Sequence, residues 1–466
     1  MEKLLETLQP HYRDKYYKEG EPMKRYIIYF LLTCILLLSG CTHANSKTLS
    51  KTNSPKNNKT IITLGVMYDD GLIQPMINSY NEKNDTYYVE LKSYEAYEDP
   101  CQQFLLDVSS GNAPDIIEVG VNFPAALLMD KNLLLNLDPL FEKDSEIKKT
   151  DLLDNVVEAL QTNNSLYYVC ESVGLNALLA KTSDVGERTG WTENEMLTFL
   201  NSKPDDQKLL QLNSNGEILG SLLYNNLDQY VDWSTGQCKF DTQQFKNLLM
   251  FAKRGDAVEP DYDVPFPIML QNGEILFNEL KNFGVVETIN SISIFNEPVT
   301  AIGYPCADSN GFYFQPYHSF GICSQTKNVD GAWDFLRTFI SKDFQTEEIV
   351  EHAFNYIPTR KDVFERMLKD FQITKSYEDE YGNTIEPYSD TYSYDDYTIE
   401  YGPLSDEQIQ TFLNIFNRTH KIDTSDTSII NIITDETSAF YKGQKNVDET
   451  AKLIQNRVTT YVNESR

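Results

Sequence analysis

Five segments of this 466-residue chain carry carboxylates or amides, four of them together with tyrosines or a histidine. They are Tyr68-Asp69-Asp70, Tyr94-Glu95, the run from Glu118 to Asn122, the neighbourhood of Glu171, and the stretch from Tyr304 through Tyr313 and Tyr317 to His318. Carboxylates and amides fix paired polar groups in a plane, and tyrosine rings cover an apolar face, so these residue types suit the binding of a polar ligand. Catalysis is the competing reading. Asp69, Glu118 and Glu171 could supply the carboxylate pair of a glycoside hydrolase, which needs two acids about 5–9.5 Å apart. With 70 acidic residues in the chain, such a pair is weak grounds for an enzyme. There is no Gly-x-Ser-x-Gly, no His-Glu-x-x-His and no phosphate-cradling glycine loop. The histidines His11, His43, His318, His352 and His420 lack metal-ligand spacing, so no cofactor is expected.

The elements that position these residues follow from apolar periodicity. Ile62 to Tyr68 alternates as a strand, Leu72 to Lys83 has helical spacing, and Tyr87 to Tyr94 alternates again. Cys101 to Ser110 reads as a helix that Gly111-Asn112-Ala113-Pro114 ends before a strand over Asp115 to Val119. This order predicts an α/β unit with a mainly parallel sheet, whose ligands lie beyond the carboxyl ends of the strands. That rule selects Tyr68, Asp69, Asp70, Tyr94, Glu118 and Asn122. A strand over Leu166 to Val173 is followed by apolar Leu175 to Ala180, and alternation returns at Val299 to Tyr304 and Phe320 to Ser324. A sheet that resumes after such an interval predicts one lobe interrupted by another, with two strand crossings as a hinge. Thr192 with Glu195 and Ser405 with Gln408 mark capping-box helix starts. Trp333 and Trp191 read as packing residues, and Trp233 as the packing residue of a hairpin with cleft lining as the alternative. Residues 376–401 hold seven tyrosines and eight carboxylates with no Lys or Arg, which predicts a solvated hairpin or a flap that attracts cations or a partner.

The amino-terminal region carries an address. Lys24-Arg25 precedes 13 largely apolar residues (26–38) and then Leu38-Ser39-Gly40-Cys41. The apolar run is shorter than the ~20 residues that span a bilayer, so the layout is that of an export signal. Leu38-Ser39-Gly40-Cys41 resembles the bacterial lipobox, which implies a lipid on Cys41 and cleavage before it. Met23 is then the expected initiator, 1–40 an upstream extension plus signal, and the Ser-, Thr-, Asn- and Lys-rich 41–59 a flexible tether. The first 40 residues hold six of the 40 basic and five of the 70 acidic residues, so the remainder carries 34 against 65, a formal net of −31. That excess repels nucleic acid and anionic lipid and favours a neutral or cationic ligand. Cys101, Cys170, Cys238, Cys306 and Cys323 contain no Cys-x-x-Cys pair and read as free thiols, with one bridge left open.

Taken in order, these segments resemble the bacterial extracellular solute-binding lipoproteins of ABC importers, family 1, the maltose-binding-protein-like group. The resemblance runs from Cys41 through the Phe104–Ile117 passage with Gly111-Asn112-Ala113-Pro114-Asp115, Leu133 to Leu140, Gly331 to Leu336, and Tyr356 to Asp362. It implies an α/β, periplasmic-binding-protein-like fold of two lobes joined by crossover hinge strands around a ligand cleft. By that likeness lobe one is 60–168 and 298–345, and lobe two is 169–297 and 346–466. It further implies a monomer, lipid-anchored on the outer face of the cytoplasmic membrane, that captures a sugar or oligosaccharide and delivers it to permease subunits. Tyr68, Asp69, Asp70, Tyr94, Glu118, Asn122, Glu171, Tyr304, Tyr317 and His318 are the expected ligand contacts. A surface sensor or adhesion lipoprotein, and a peptide or polyamine ligand, stay open.

Overall fold

The computed structural model describes residues 59–465 apart from 69–70, 72, 98, 256–263, 352–355, 380–381 and 395–396. Residues 1–58, with Cys41, the signal and most of the tether, lie outside them, as do Asp69 and Asp70.

The sheet starts as the periodicity predicts. Strand β1 (Thr60–Val66) buries Ile62, Leu64 and Val66, helix α1 (Ile73–Lys83) follows, and β2 (Tyr87–Ser93) pairs parallel to β1 from Thr60↔Tyr87 to Val66↔Ser93. Helix α2 (Pro100–Ser110) is fixed at both ends by local chemistry. Asp99 accepts from the Gln102 amide at 2.9 Å, and Gly111 takes the left-handed conformation, φ 74°, that closes a helix without Cβ strain. Strand β3 (Ile116–Glu118) then joins β1 in parallel.

Where the sequence suggests a strand over 166–173 with an apolar stretch after it, the chain forms one continuous strand, β4 (Tyr168–Lys181), with its first 13 residues buried. A small hairpin of β5 (Val231–Asp232) and β6 (Gln237–Cys238) precedes β7 (Phe277–Phe283) and β8 (Val299–Ala301), which both run antiparallel to β4. Strand β9 (Tyr313–Ile322) is longer than its sequence signal because it too runs alongside β4, from Tyr168↔Gly321 to Asn176↔Tyr313. With β10 (Ile357–Pro358), the order β10-β4-β9-β3-β1-β2 results, and β7 and β8 also attach to β4.

Two apolar cores share this sheet. The first gathers β1 to β3, Val169, Val173 and Leu175 of β4, Phe320 and Ile322 of β9, and segments 269–295, 332–340 and 357–416. The second gathers Leu178 and Ala180 of β4, Tyr313 of β9, and the apolar faces of 191–200, 218–223, 245–252, 429–440 and 451–462. Trp233 is partly buried against both cores. Trp191 is fully buried and donates to the Gly303 carbonyl at 3.0 Å, and Trp333 donates to Asp144 at 2.9 Å. The Tyr-rich segment forms two short hairpins, 377–385 and 390–401. Tyr388 ties it down, with its buried hydroxyl accepting from the Asn290 amide at 2.9 Å. All five described cysteines are free.

Gly174 marks the closest approach of β4 to β7. A Cβ there would lie 2.1 Å from Asn282 Oδ1 and 2.5 Å from the Asn282 backbone carbon. Gly174→Ala should lower stability by about 1–3 kcal/mol, the usual cost of overpacking. A urea unfolding midpoint equal to that of the unmodified protein would show that the strands are free to separate here.

Candidate functional site

The regular ladder fails where β4 passes from one core to the other. Leu175 faces Phe283 and Ala177 faces Leu280, so Lys281 and Asn282 on β7 stand against the single residue Asn176. This is a β-bulge, and Asn282 takes φ 59° to make it. The Asn176 side chain repairs the break. Its Oδ1 accepts from the Asn282 amide at 2.6 Å, and its Nδ2 donates to Asn225 Oδ1 at 3.1 Å.

Beside this bulge lies a cavity of about 340 Å³. Its wall is built from Asn176 (β4), Gln315 (β9), and Glu279, Lys281 and Asn282 (β7). Gly216, Glu217, Gly220 and Ser221 of helix α3 (Asn215–Leu223), together with Asn225, Tyr304, Asp423 and Ser425, complete it. The cavity therefore sits at the strand crossing, and most of the residues that line it carry polar side chains. Glu279 holds one side rigid. Its Oε1 accepts from the Ser221 hydroxyl at 2.7 Å and the Tyr304 hydroxyl at 2.9 Å, while its Oε2 meets Lys281 Nζ at 2.8 Å. On the other side the chain runs from Asp423 into helix α4 (Thr427–Tyr441). Asp423 Oδ1 accepts from the Ser425 amide at 2.7 Å, and Oδ2 lies 3.4 Å from Asn176 Nδ2.

Burial dominates the electrostatics here. It raises the Asp423 carboxyl above the usual range, against hydrogen bonds from Ser425 that work the other way. Asp426 caps α4 by accepting from the Ile429 amide at 3.0 Å, and a helix start favours a negative charge. Burial still wins at Asp426, which is 2% exposed, and pushes its pKa up to about 6.

The residues singled out from sequence divide into groups. Asn122 meets the start of α4, where its Oδ1 accepts from the Thr427 hydroxyl at 3.2 Å and the Thr427 amide donates to the Val121 carbonyl at 3.0 Å. The loop after β3 thus touches the segment that supplies Asp423 and Ser425. Glu118 accepts from the Met67 amide at 2.7 Å and pins the end of β1, and Tyr68 beside it is 52% exposed.

Glu171, Tyr317 and His318 form a second cluster on β4 and β9. His318 Nδ1 stands 2.9 Å from Glu171 Oε1. The Tyr317 ring lies 4.2 Å from that of His318 and 4.5 Å from that of Tyr356. His318 has φ 40°, and the ladder skips from Cys170↔Ser319 to Ser172↔Tyr317 around it.

Two expectations need correction. Tyr94 has no exposed surface: it packs against Phe104 and Phe123, with its hydroxyl on Asp107 at 2.9 Å, so it is a core residue. Tyr304 does border the cavity, but it is 1% exposed and its hydroxyl is held by Glu279, which makes it a brace of the wall. Sequence reasoning missed Asn176, Gln315 and Asp423. Asn176 is the only polar residue in the apolar run from Leu175 to Ala180, and that signal was there to find.

No protein-family profile and no curated sequence matches the chain. Solved structures do match it. The sugar-binding protein MalE from the phytopathogen Xanthomonas citri superposes with a TM-score of 0.50 at 13% identity, over 87% of this chain and 98% of that one. A proposed oligosaccharide periplasmic-binding protein from Synechococcus sp. MITs9220 superposes with a TM-score of 0.50 at 12% identity, over 86% and 99%. The fold is periplasmic-binding-protein-like. Strands β4 and β9 each contribute residues to both apolar cores.

The acid at the α4 start yields a pH test. Because burial holds Asp426 at about 6 against an ordinary 3.8, the folded state takes up its proton more readily than the unfolded state. Its contribution to stability is then full below about pH 4 and is lost as pH rises through about 6. Asn keeps the cap without the charge. Asp426→Asn should match the unmodified protein near pH 4 and exceed it by on the order of 1–3 kcal/mol near pH 8 in chemical denaturation. A stability difference independent of pH would contradict the buried-acid account.

Proposed function

We propose that this protein is the extracellular substrate-binding component of an ABC importer, anchored by a lipid on Cys41, that captures a sugar or oligosaccharide and passes it to a membrane permease. The observation that carries this reading is the polar cavity at the crossing of β4, β7 and β9, where two apolar cores share strands. Its amides and carboxylates suit a polyhydroxylated ligand, since each amide can donate to one hydroxyl oxygen and accept from a neighbouring hydroxyl.

In this reading Asn176, Gln315 and Asp423 hold the ligand from the crossing and the second core. Tyr68, Glu118 and Asn122, at the strand ends of the first core, complete the site as the lobes close, together with Asp69 and Asp70, which lie outside the described residues. Closure around the ligand makes affinity depend on the open–closed equilibrium as well as on contacts. The Glu171–His318 pair lies farther along β4 and β9, with Tyr356 stacked on Tyr317 beside it, and these set the geometry of the crossing. The lipid keeps captured cargo near the permease, and the 41–59 tether limits its reach. The fold shared with the Xanthomonas citri MalE and the Synechococcus protein supports the reading without specifying the sugar.

A thermal-shift screen of the purified protein against saccharides tests it. Ligand at a hundred times its Kd adds about 2.7 kcal/mol to stability, enough for a clear rise in Tm. One class of saccharide should produce that rise, and Asn176→Ala should abolish it. A flat response across a broad glycan panel would overturn saccharide capture, and turnover of a saccharide in the same samples would return the carboxylates to catalysis.

A further inference from the structure

The cavity is not electrically balanced. Glu217, Glu279 and Asp423 place three carboxylates on its wall against the single ammonium of Lys281. That ammonium is already engaged, 2.8 Å from Glu279 Oε2 and 3.6 Å from Glu217 Oε2. Asp423 stands apart from this group and forms no ion pair among the described residues. Lys421, two positions away, is committed to Asp308 at 2.5 Å. The bonds that Asp423 receives come from the Ser425 amide at 2.7 Å, from the Ser425 hydroxyl, and from Asn176 over a long 3.4 Å. An ionised carboxylate can accept about four hydrogen bonds, so acceptor capacity remains. Holding such a partly buried charge without a cation is expensive, and its raised pKa registers the same cost.

We propose that the ligand is a saccharide bearing a free amino group, whose ammonium is received by Asp423 while the surrounding amides of Asn176, Asn225, Asn282 and Gln315 take its hydroxyls. This rests on the saccharide-binding reading above. A neutral sugar hydroxyl would also donate to Asp423 but would leave the negative charge uncompensated. A uronic acid would add a further carboxylate to a wall that already has an excess. The ammonium alone both donates and neutralises. A charge-assisted hydrogen bond exceeds a neutral one by a margin that corresponds to about ten- to hundredfold in affinity.

The test compares matched sugars by isothermal titration of the purified full chain. Glucosamine is set against glucose, N-acetylglucosamine and glucuronate; galactosamine against galactose and galacturonate; the chitosan disaccharide against cellobiose. The amino member of at least one set should bind about tenfold or more tightly than its neutral parent, and the acid should bind weakest. Acetylating the amine should cost a similar factor, and this arm needs no variant to fold. Asp423→Asn should bring the ratio of amino to neutral affinity close to one. Equal or tighter binding of the neutral parents would overturn the amine assignment while leaving saccharide capture intact. An unchanged ratio in a folded Asp423→Asn protein would overturn the role of Asp423. Binding by no sugar in these sets or in the wider panel would remove both readings together.

Discussion

Strand β4 has to serve two hydrophobic cores with one backbone, and the rest of the molecule is arranged around that demand. Its first 13 residues are buried, and it pairs with β7, β8, β9 and β10. Val169, Val173, Leu175, Ala177 and Leu179 point into the first core, and Leu178 and Ala180 into the second. Side chains alternate along a strand with a period of two, so beyond Asn176 one face of β4 stays in the first core and the other enters the second. The bulge opposite Asn176 falls just before the second core begins at Leu178. One extra residue on β7 re-phases the pairing, and an amide side chain stands in for the ladder bonds that the bulge removes.

A function follows from the same defect. An unpartnered buried amide or carboxylate costs about 1–3 kcal/mol, so a polar junction inside an otherwise apolar sheet is tolerated only where bonds are nearly complete. Asn176 and Glu279 have their partners, and Asp423 has fewer than it can use. The shortfall lies between the shared strands and the α4 start, which also touches the loop after β3 through Thr427. A ligand that satisfied Asp423 would touch elements from both cores at once. Binding and lobe closure would then be one event.

Much of the first core was legible in the sequence because local signals there agree with one another. The β1 alternation, the Gly111 end of α2 and the Ser405 cap are short-range features, as is the Thr192 cap in the second core, and each forms as read. The site was less legible. The strand-end rule leads to Asn122 and Glu118, and the crossing leads to Glu171, Tyr317 and His318. It also leads to Tyr94, whose ring and hydroxyl are consumed by Phe104, Phe123 and Asp107, a contact set that periodicity cannot foresee. Asp423 lies 247 residues from Asn176 in the chain, and only tertiary folding places the two side by side. In a chain with 70 acidic residues, composition could not single out one of them.

The central claim is that the ligand occupies the crossing of the shared strands. A crystal structure of the protein with the saccharide that raises Tm most would address it directly. The account predicts the sugar within hydrogen-bonding distance of Asn176, Gln315 and Asp423, with at least one contact from the strand-end residues of the first core. A sugar seated elsewhere, for instance on the 377–401 hairpins, with the cavity beside Asn176 left to solvent, would contradict it.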